Sequence, residues 1–120
     1  IYVPNWVGES HLKNPAEMFA LKLQACPAFF EGQDPDVAEL GPTAYKDFAQ
    51  KKGVPLILGV GAGFLALSKP QEISARVKKY IEVGGRNGRF CLYLCNIGAT
   101  TPAENIKAAV EAVHKHGDYN

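Results

Sequence analysis

Four short apolar runs, at residues 1–7, 28–30, 55–60 and 90–95, are each followed by a stretch patterned as a helix. That alternation restricts the chain more than any single motif. Strand–helix units repeated in series build a parallel sheet, because each crossover returns the next strand in the same direction and with right-handed connection. The expected class is therefore α/β, with parallel strands alternating with helices and the helices outside the sheet.

The last unit is the clearest. Residues 90–95 are almost continuously apolar, the pattern of a strand covered on both faces. Thr101, Pro102 and Glu104 read as a capping box with proline at the first helical position. Ile106, Ala109, Val110 and Val113 repeat at helical spacing and predict the core face, while Lys107, Glu111 and Lys115 take the other side. His114, Lys115 and His116 suit the negative end of the helix dipole, and Gly117 is the stop.

The earlier units follow the same grammar. Residues 1–7 read as a strand interrupted near its end by Pro4. Asn14 caps a helix with Pro15 first and Glu17 behind it, buried through Met18, Phe19, Ala20, Leu21 and Leu23. Residues 28–30 form a second strand that runs into the acidic, turn-rich loop 31–36. Pro42, Tyr45, Phe48 and Ala49 mark a helix ended by Gly53. Residues 55–60 are a buried strand leading into the glycine-containing loop 61–67, and Ser68 with Gln71 predicts the cap of a helix carrying Ile73, Val77, Tyr80 and Ile81.

Charge and cysteine content narrow the function. Thirteen basic against 12 acidic residues leave a formal charge of +1, which supplies no field to gather nucleic acid or anionic lipid. No run is apolar and long enough to span a bilayer, so no membrane role is expected. Cys26, Cys91 and Cys95 are an odd number in an ordinary frame, which favours a reducing, cytoplasmic setting over a disulfide scaffold. A small-molecule substrate or a protein partner is the expectation that remains.

Four βα units fit either a small doubly wound domain or half of a (β/α)8 barrel, which needs about 250 residues in all. A start at Ile1 directly in an apolar run reads as a fragment, with 1–120 a single segment. A half-barrel leaves two strand edges and one sheet face to be covered by a second half.

The residues "TPAENIKAAVEAVHKHG", preceded by "CLYLCNIG", together with "VPLILGVGAGFLALSKPQEISARVKKYIEVGG", resemble the C-terminal end of the uroporphyrinogen decarboxylase superfamily. The resemblance covers about the last two thirds of the chain. It implies the second half (βα units 5–8) of a TIM (β/α)8 barrel, with the N-terminal half as the missing partner. It also implies an enzyme, either a methyltransferase working with a corrinoid or thiol carrier or a porphyrin-type decarboxylase of haem biosynthesis. The decarboxylase motifs Gly-Asn-Leu-Asp-Pro and Asn-Leu-Gly-His-Gly are replaced here by Gly59-Val60-Gly61-Ala62-Gly63 and by Asn96-Ile97-Gly98-Ala99. That departure points towards the methyltransferase-like branch. The third alternative is a non-catalytic half-barrel that assembles with another chain.

The methyltransferase branch typically binds zinc through His-x-Cys and a later Cys. On the resemblance the later Cys is Cys95, whereas Asn5 and Val7 stand at the His-x-Cys positions, so zinc implies compensation from His11, Glu9 or Asp34. Cys95 and His11 are therefore the catalytic and metal candidates. Asn5, Trp6, Glu9, Gln33, Asp34, Gly61 and Asn96 are the candidate substrate contacts, since each falls just after a predicted strand, where barrel enzymes place their sites. Trp6 suits stacking on a flat macrocycle. Glu31 and Asp36 belong to the same acidic loop, and residues 59–63 offer glycines for an anion's close approach. A corrinoid, where used, is expected on a partner protein.

Overall fold

A computed structural model describes residues 7–118. Within them a 3-10 turn at Glu9–His11 precedes α1 (Pro15–Ala25), β1 (Phe30–Gln33), α2 (Asp36–Leu40) and α3 (Pro42–Lys52). There follow β2 (Leu56–Val60), α4 (Ala62–Leu67), α5 (Pro70–Gly84), β3 (Phe90–Leu94) and α6 (Ala103–His116). Among the described residues the strands make one parallel sheet in the order β1-β2-β3. The predicted alternation is thus present as an α/β sheet with sequential parallel strands. The strand expected at 1–7 lies outside the described residues apart from Val7, which is not in a strand.

Strand register sorts side chains between two faces. Phe30, Leu56 and Phe90 lie abreast, as do Gly32, Leu58 and Leu92, and all but Gly32 join Val60 and Leu94 in or against the core cluster. That same cluster takes Phe19 from α1, Val37 from α2, Tyr45 and Ala49 from α3, and Leu65 from α4. It also takes Ile73, Val77 and Tyr80 from α5 and Ala109 and Ala112 from α6. The helices therefore share one face of the sheet. The opposite alternation is mixed: Glu31 and Gly59 are buried, Gln33, Ile57 and Tyr93 are half-buried and Cys91 is exposed, and none of them belongs to this core. Each fully buried Leu, Ile or Phe adds about 1.5–3 kcal/mol, so the helix-side face carries most of the stability.

Close approach decides which residues the β1–α3 contact accepts. A Cβ on Gly32 would lie 2.2 Å from Tyr45 Cε2. The Tyr45 ring packs 4.7 Å from Phe19 and 5.7 Å from Phe30, centroid to centroid. Its hydroxyl donates to Glu9 Oε1 at 2.8 Å, and Lys22 Nζ donates to the same oxygen at 3.0 Å and to the Glu31 carbonyl at 2.7 Å. Asp36 Oδ1 accepts from the Ser10 hydroxyl at 2.7 Å. This buried polar knot fastens the 3-10 turn to α1, α2 and α3. It also compensates a carboxylate and an ammonium that would be costly to bury alone.

Several local expectations are corrected. In α1 only Phe19 and Lys22 are buried, and Leu21 is 49% exposed, because α1 meets the core at the edge of the sheet rather than across it. β1 begins at Phe30, not at residue 28. Of the expected acidic loop 31–36, Glu31, Gly32 and Gln33 belong to β1 and Asp36 begins α2, and most of the glycine loop is α4. Ser68 ends α4, while Glu72 Oε1 accepts from Lys69 N at 2.9 Å and caps α5 in place of the Ser68–Gln71 pair. α6 starts at Ala103, and Thr101 Oγ1 instead accepts from Gly98 N at 3.1 Å within the preceding turn. Its buried face is Asn105, Ala108, Ala109 and Ala112, with Val110 and Val113 exposed. Small residues allow α6 to lie close to α5, and Asn105 Nδ2 donates to the carbonyls of Leu65 and Ser68 at 2.8 and 2.9 Å. Asn14 as the α1 cap and Gly53 as the α3 stop stand as expected. No helix among the described residues is long and apolar enough to cross a membrane.

Candidate functional site

Parallel strands end together, so residues just past β1, β2 and β3 converge. At that edge a cleft of about 580 Å³ is lined by Gln33, Asp34, Gly61, Phe64, Cys95 and Asn96, with Arg76 reaching in from α5. Five of the sequence-predicted contacts, Gln33, Asp34, Gly61, Cys95 and Asn96, therefore meet in one place. The volume lies within the range of about 300–1,000 Å³ usual for small-molecule sites.

Asp34 organises the floor of the cleft. Its Oδ2 accepts from Gly61 N at 2.9 Å and from Arg76 Nη1 at 3.2 Å, and its Oδ1 accepts a short hydrogen bond from the Tyr80 hydroxyl. Gly61 is needed there, since a Cβ would lie 2.8 Å from Asp34 Cβ. Arg76 lies flat on Phe64, its guanidinium carbon 3.4 Å from the ring centroid, and its side chain keeps 26% of its surface exposed. Burial first, and then the Asp34 charge, push the Tyr80 phenol well above its ordinary range, so Tyr80 stays a proton donor to Asp34. The result is a guanidinium fixed by a carboxylate on one edge and an aromatic face beneath.

Cys95 closes the other wall. Its Sγ donates to Gln33 Oε1 at 3.2 Å, and the Tyr93 hydroxyl donates to Glu31 Oε1 at 2.6 Å across β2. Gly59 makes that crossing feasible, because a Cβ there would stand 2.5 Å from Tyr93 Cζ and 2.8 Å from Cys95 Sγ. Burial pushes the Cys95 thiol up to about 11; a Tyr93 hydrogen bond works the other way, while the Asp34 and Glu31 charges add to the rise. At neutral pH the sulfur is a protonated, weakly donating thiol and a poor nucleophile.

The remaining candidates stand apart. Glu9 is fully buried in the Lys22–Tyr45 knot, and His11 is exposed on the 3-10 turn and does not line the cleft. Asn5 and Trp6 lie outside the described residues. Asp36 is held by Ser10. A catalytic zinc takes three protein ligands. Among the described residues no group of three His, Cys, Asp or Glu side chains could hold a metal. The oxygens of Asp34 are already engaged, and the Cys95 sulfur donates to the amide oxygen of Gln33. The described residues therefore do not assemble a zinc centre by themselves.

No protein-family model, curated protein or solved structure matches the chain. Its functional reading rests on the cleft itself. Sequence reasoning missed Arg76, Phe64, Tyr80 and Tyr93 as members of that cleft and its supports. The available signal was the spacing of Arg76 and Tyr80, four residues apart beside the Ile73–Val77 core stripe, which puts an arginine at the margin of a buried helix face.

Proposed function

We propose that this chain forms the C-terminal half of a (β/α)8 barrel enzyme similar to the uroporphyrinogen decarboxylase superfamily, nearer its methyltransferase-like branch. The observation that carries this reading is the convergence of Cys95, Gln33 and Arg76 where three sequential parallel strands end. The winding supports it as well. Doubly wound sheets carry helices on both faces, whereas here they share one, and Ile57, Cys91 and Tyr93 lie on the other. In a barrel those residues pack inside, against strands of the N-terminal half.

In this reading Arg76 and Asn96 hold the polar end of a small substrate, and Asp34 with Phe64 keeps the guanidinium in place. The Cys95 sulfur faces the reacting group as a neutral thiol. A corrinoid carrier, where used, would stay on its partner protein and meet the substrate at the cleft mouth. The corrinoid, when used, supplies the methyl-accepting chemistry.

One observation favours a second reading. An arginine in the cleft is a feature of a site for a carboxylate substrate, as in a porphyrinogen decarboxylase. The test uses the complete polypeptide with methylated donors and a corrinoid or thiol acceptor, and separately with uroporphyrinogen. Cys95→Ala and Arg76→Gln should each lower methyl-transfer kcat/KM at least about tenfold, or about 1.4 kcal/mol, in assays held well below the Tm of each variant. Wild-type rates in both variants would remove the proposal, and conversion of uroporphyrinogen would replace it with the second reading.

A further inference from the structure

At the opposite end of the strands, under the turns that enter β2 and β3, lies a second cavity of about 260 Å³. Lys46, Gln50, Gly53, Asn87, Gly88 and Arg89 line it, and no Asp or Glu does. Lys46 is only 3% exposed, yet its one hydrogen bond among the described residues runs from Nζ to the Gly88 carbonyl at 3.0 Å. Asn87, Gly88 and Arg89 are three successive residues with positive φ, in a turn that presents the Gly88 carbonyl to Lys46 Nζ. Arg89 is anchored there by donating from Nη1 to the Gly53 carbonyl at 3.0 Å.

The charge at this cavity is one-sided. Burial, and then the neighbouring charges of Arg86 and Arg89, lower the pKa of Lys46. Asp47 is the acidic side chain paired here, 3.7 Å from Arg86 and largely exposed, which gives it little weight. A buried ammonium whose one side-chain hydrogen bond among the described residues goes to a carbonyl, beside the Arg89 guanidinium and with no carboxylate lining the cavity, is a costly arrangement that a bound anion relieves. The volume is just below the usual range for whole small molecules, so it suits one group of a ligand rather than a large body.

We propose that this cavity binds a tetrahedral oxyanion, a phosphate group, through Lys46 and Arg89. The site is separate from the carboxyl-end cleft, and its occupancy is independent of the reaction catalysed there. Phosphate recognition suits this set because arginine forks and a lysine point charge both match phosphate oxygens. The source is either free inorganic phosphate or a phosphomonoester, and the two share the same contacts.

The experiment is thermal unfolding of the complete polypeptide during titration with inorganic phosphate, and in a second arm with glycerol phosphate, with ionic strength held by chloride. A saturable rise in Tm of roughly 5 °C at about a hundred times Kd is expected in at least one arm. Saturation by inorganic phosphate at the lower concentration assigns a free-ion site, and tighter saturation by the ester assigns a phosphorylated ligand. Lys46→Met keeps the side chain's length, removes its charge, and should abolish the rise. Arg89→Gln, at an exposed position, should weaken it about tenfold and keeps the test usable if Lys46→Met fails to fold. No saturable rise in either arm, or an undiminished rise in the variants, overturns the proposal.

Discussion

Replacing Asp34 by Asn changes one oxygen to an amide nitrogen at the point where three elements meet. The carboxylate accepts from the Gly61 backbone, from Arg76 and from Tyr80. An asparagine keeps a single acceptor and turns an NH2 towards donors, so at least one of the three bonds becomes a donor–donor contact. Hydrogen bonds to a charged group contribute about 1.5–3 kcal/mol each. Arg76, with a quarter of its side chain exposed, recovers part of that from water. The net cost should be about 2–4 kcal/mol, which lowers Tm by roughly 5–15 °C. Urea unfolding of the complete polypeptide measures this as a lower midpoint at unchanged m. Tyr80→Phe, which removes one donor, should cost about 1 kcal/mol. If Asp34→Asn lies within about 0.5 kcal/mol of wild type, Asp34 does not hold the cleft floor and the assignment of Arg76 as a fixed anchor fails with it.

Gly32→Ala should destabilise by about 1–3 kcal/mol through overpacking against the Tyr45 ring, whereas Gly63→Ala, with open space at its Cβ, should change the urea midpoint little. Because burial raises the Cys95 thiol to about 11 from an ordinary 9.0, its stabilising contribution is complete below pH 9 and is lost as pH rises from 9 to about 11. Iodoacetamide labelling followed by mass spectrometry should give a pH midpoint for Cys95 about two units above that of the unfolded chain, and coincident midpoints would refute it. Asp36 behaves oppositely: burial raises its pKa, but hydrogen bonds involving Glu9 and Ser10 outweigh that and lower it. Its contribution is present above the unfolded carboxylate range and is lost as pH falls through the lower folded value. Asp36→Asn should therefore flatten the acid limb of the stability curve.

The order of elements was legible because hydrophobic run length, proline at helix starts and glycine at helix ends are local signals. Asn14 and Gly53 act as their positions suggest. The rotation of α6 was not legible, since Val110 and Val113 look better suited to a core than Ala108 and Ala112. What decides it is the close approach of α6 to α5 and α4, fixed by Asn105 reaching two carbonyls at the end of α4. Thr101 and Ser68 likewise carried good capping chemistry that the chain spends on a turn and on a helix end. The site was half visible. Residues following strands can be named from the alternation, and Gln33, Asp34, Gly61, Cys95 and Asn96 do line one cleft. Arg76 comes from a helix, and Tyr93 reaches Glu31 only because Gly59 lacks a side chain, which is a three-strand relation hidden from a linear reading.

Cys91 gives the most direct test of the barrel reading, because it stands exposed on the sheet face that carries no helices among the described residues. Its alkylation rate in the complete, folded polypeptide, measured by mass spectrometry against the unfolded protein at pH 8, reports whether that face is enclosed. Closure by further strands predicts a rate at least about 100-fold slower than in the unfolded control, as for a thiol inside a packed barrel. A rate equal to that of the unfolded thiol would mean an open face, and would contradict the half-barrel on which the proposed site depends.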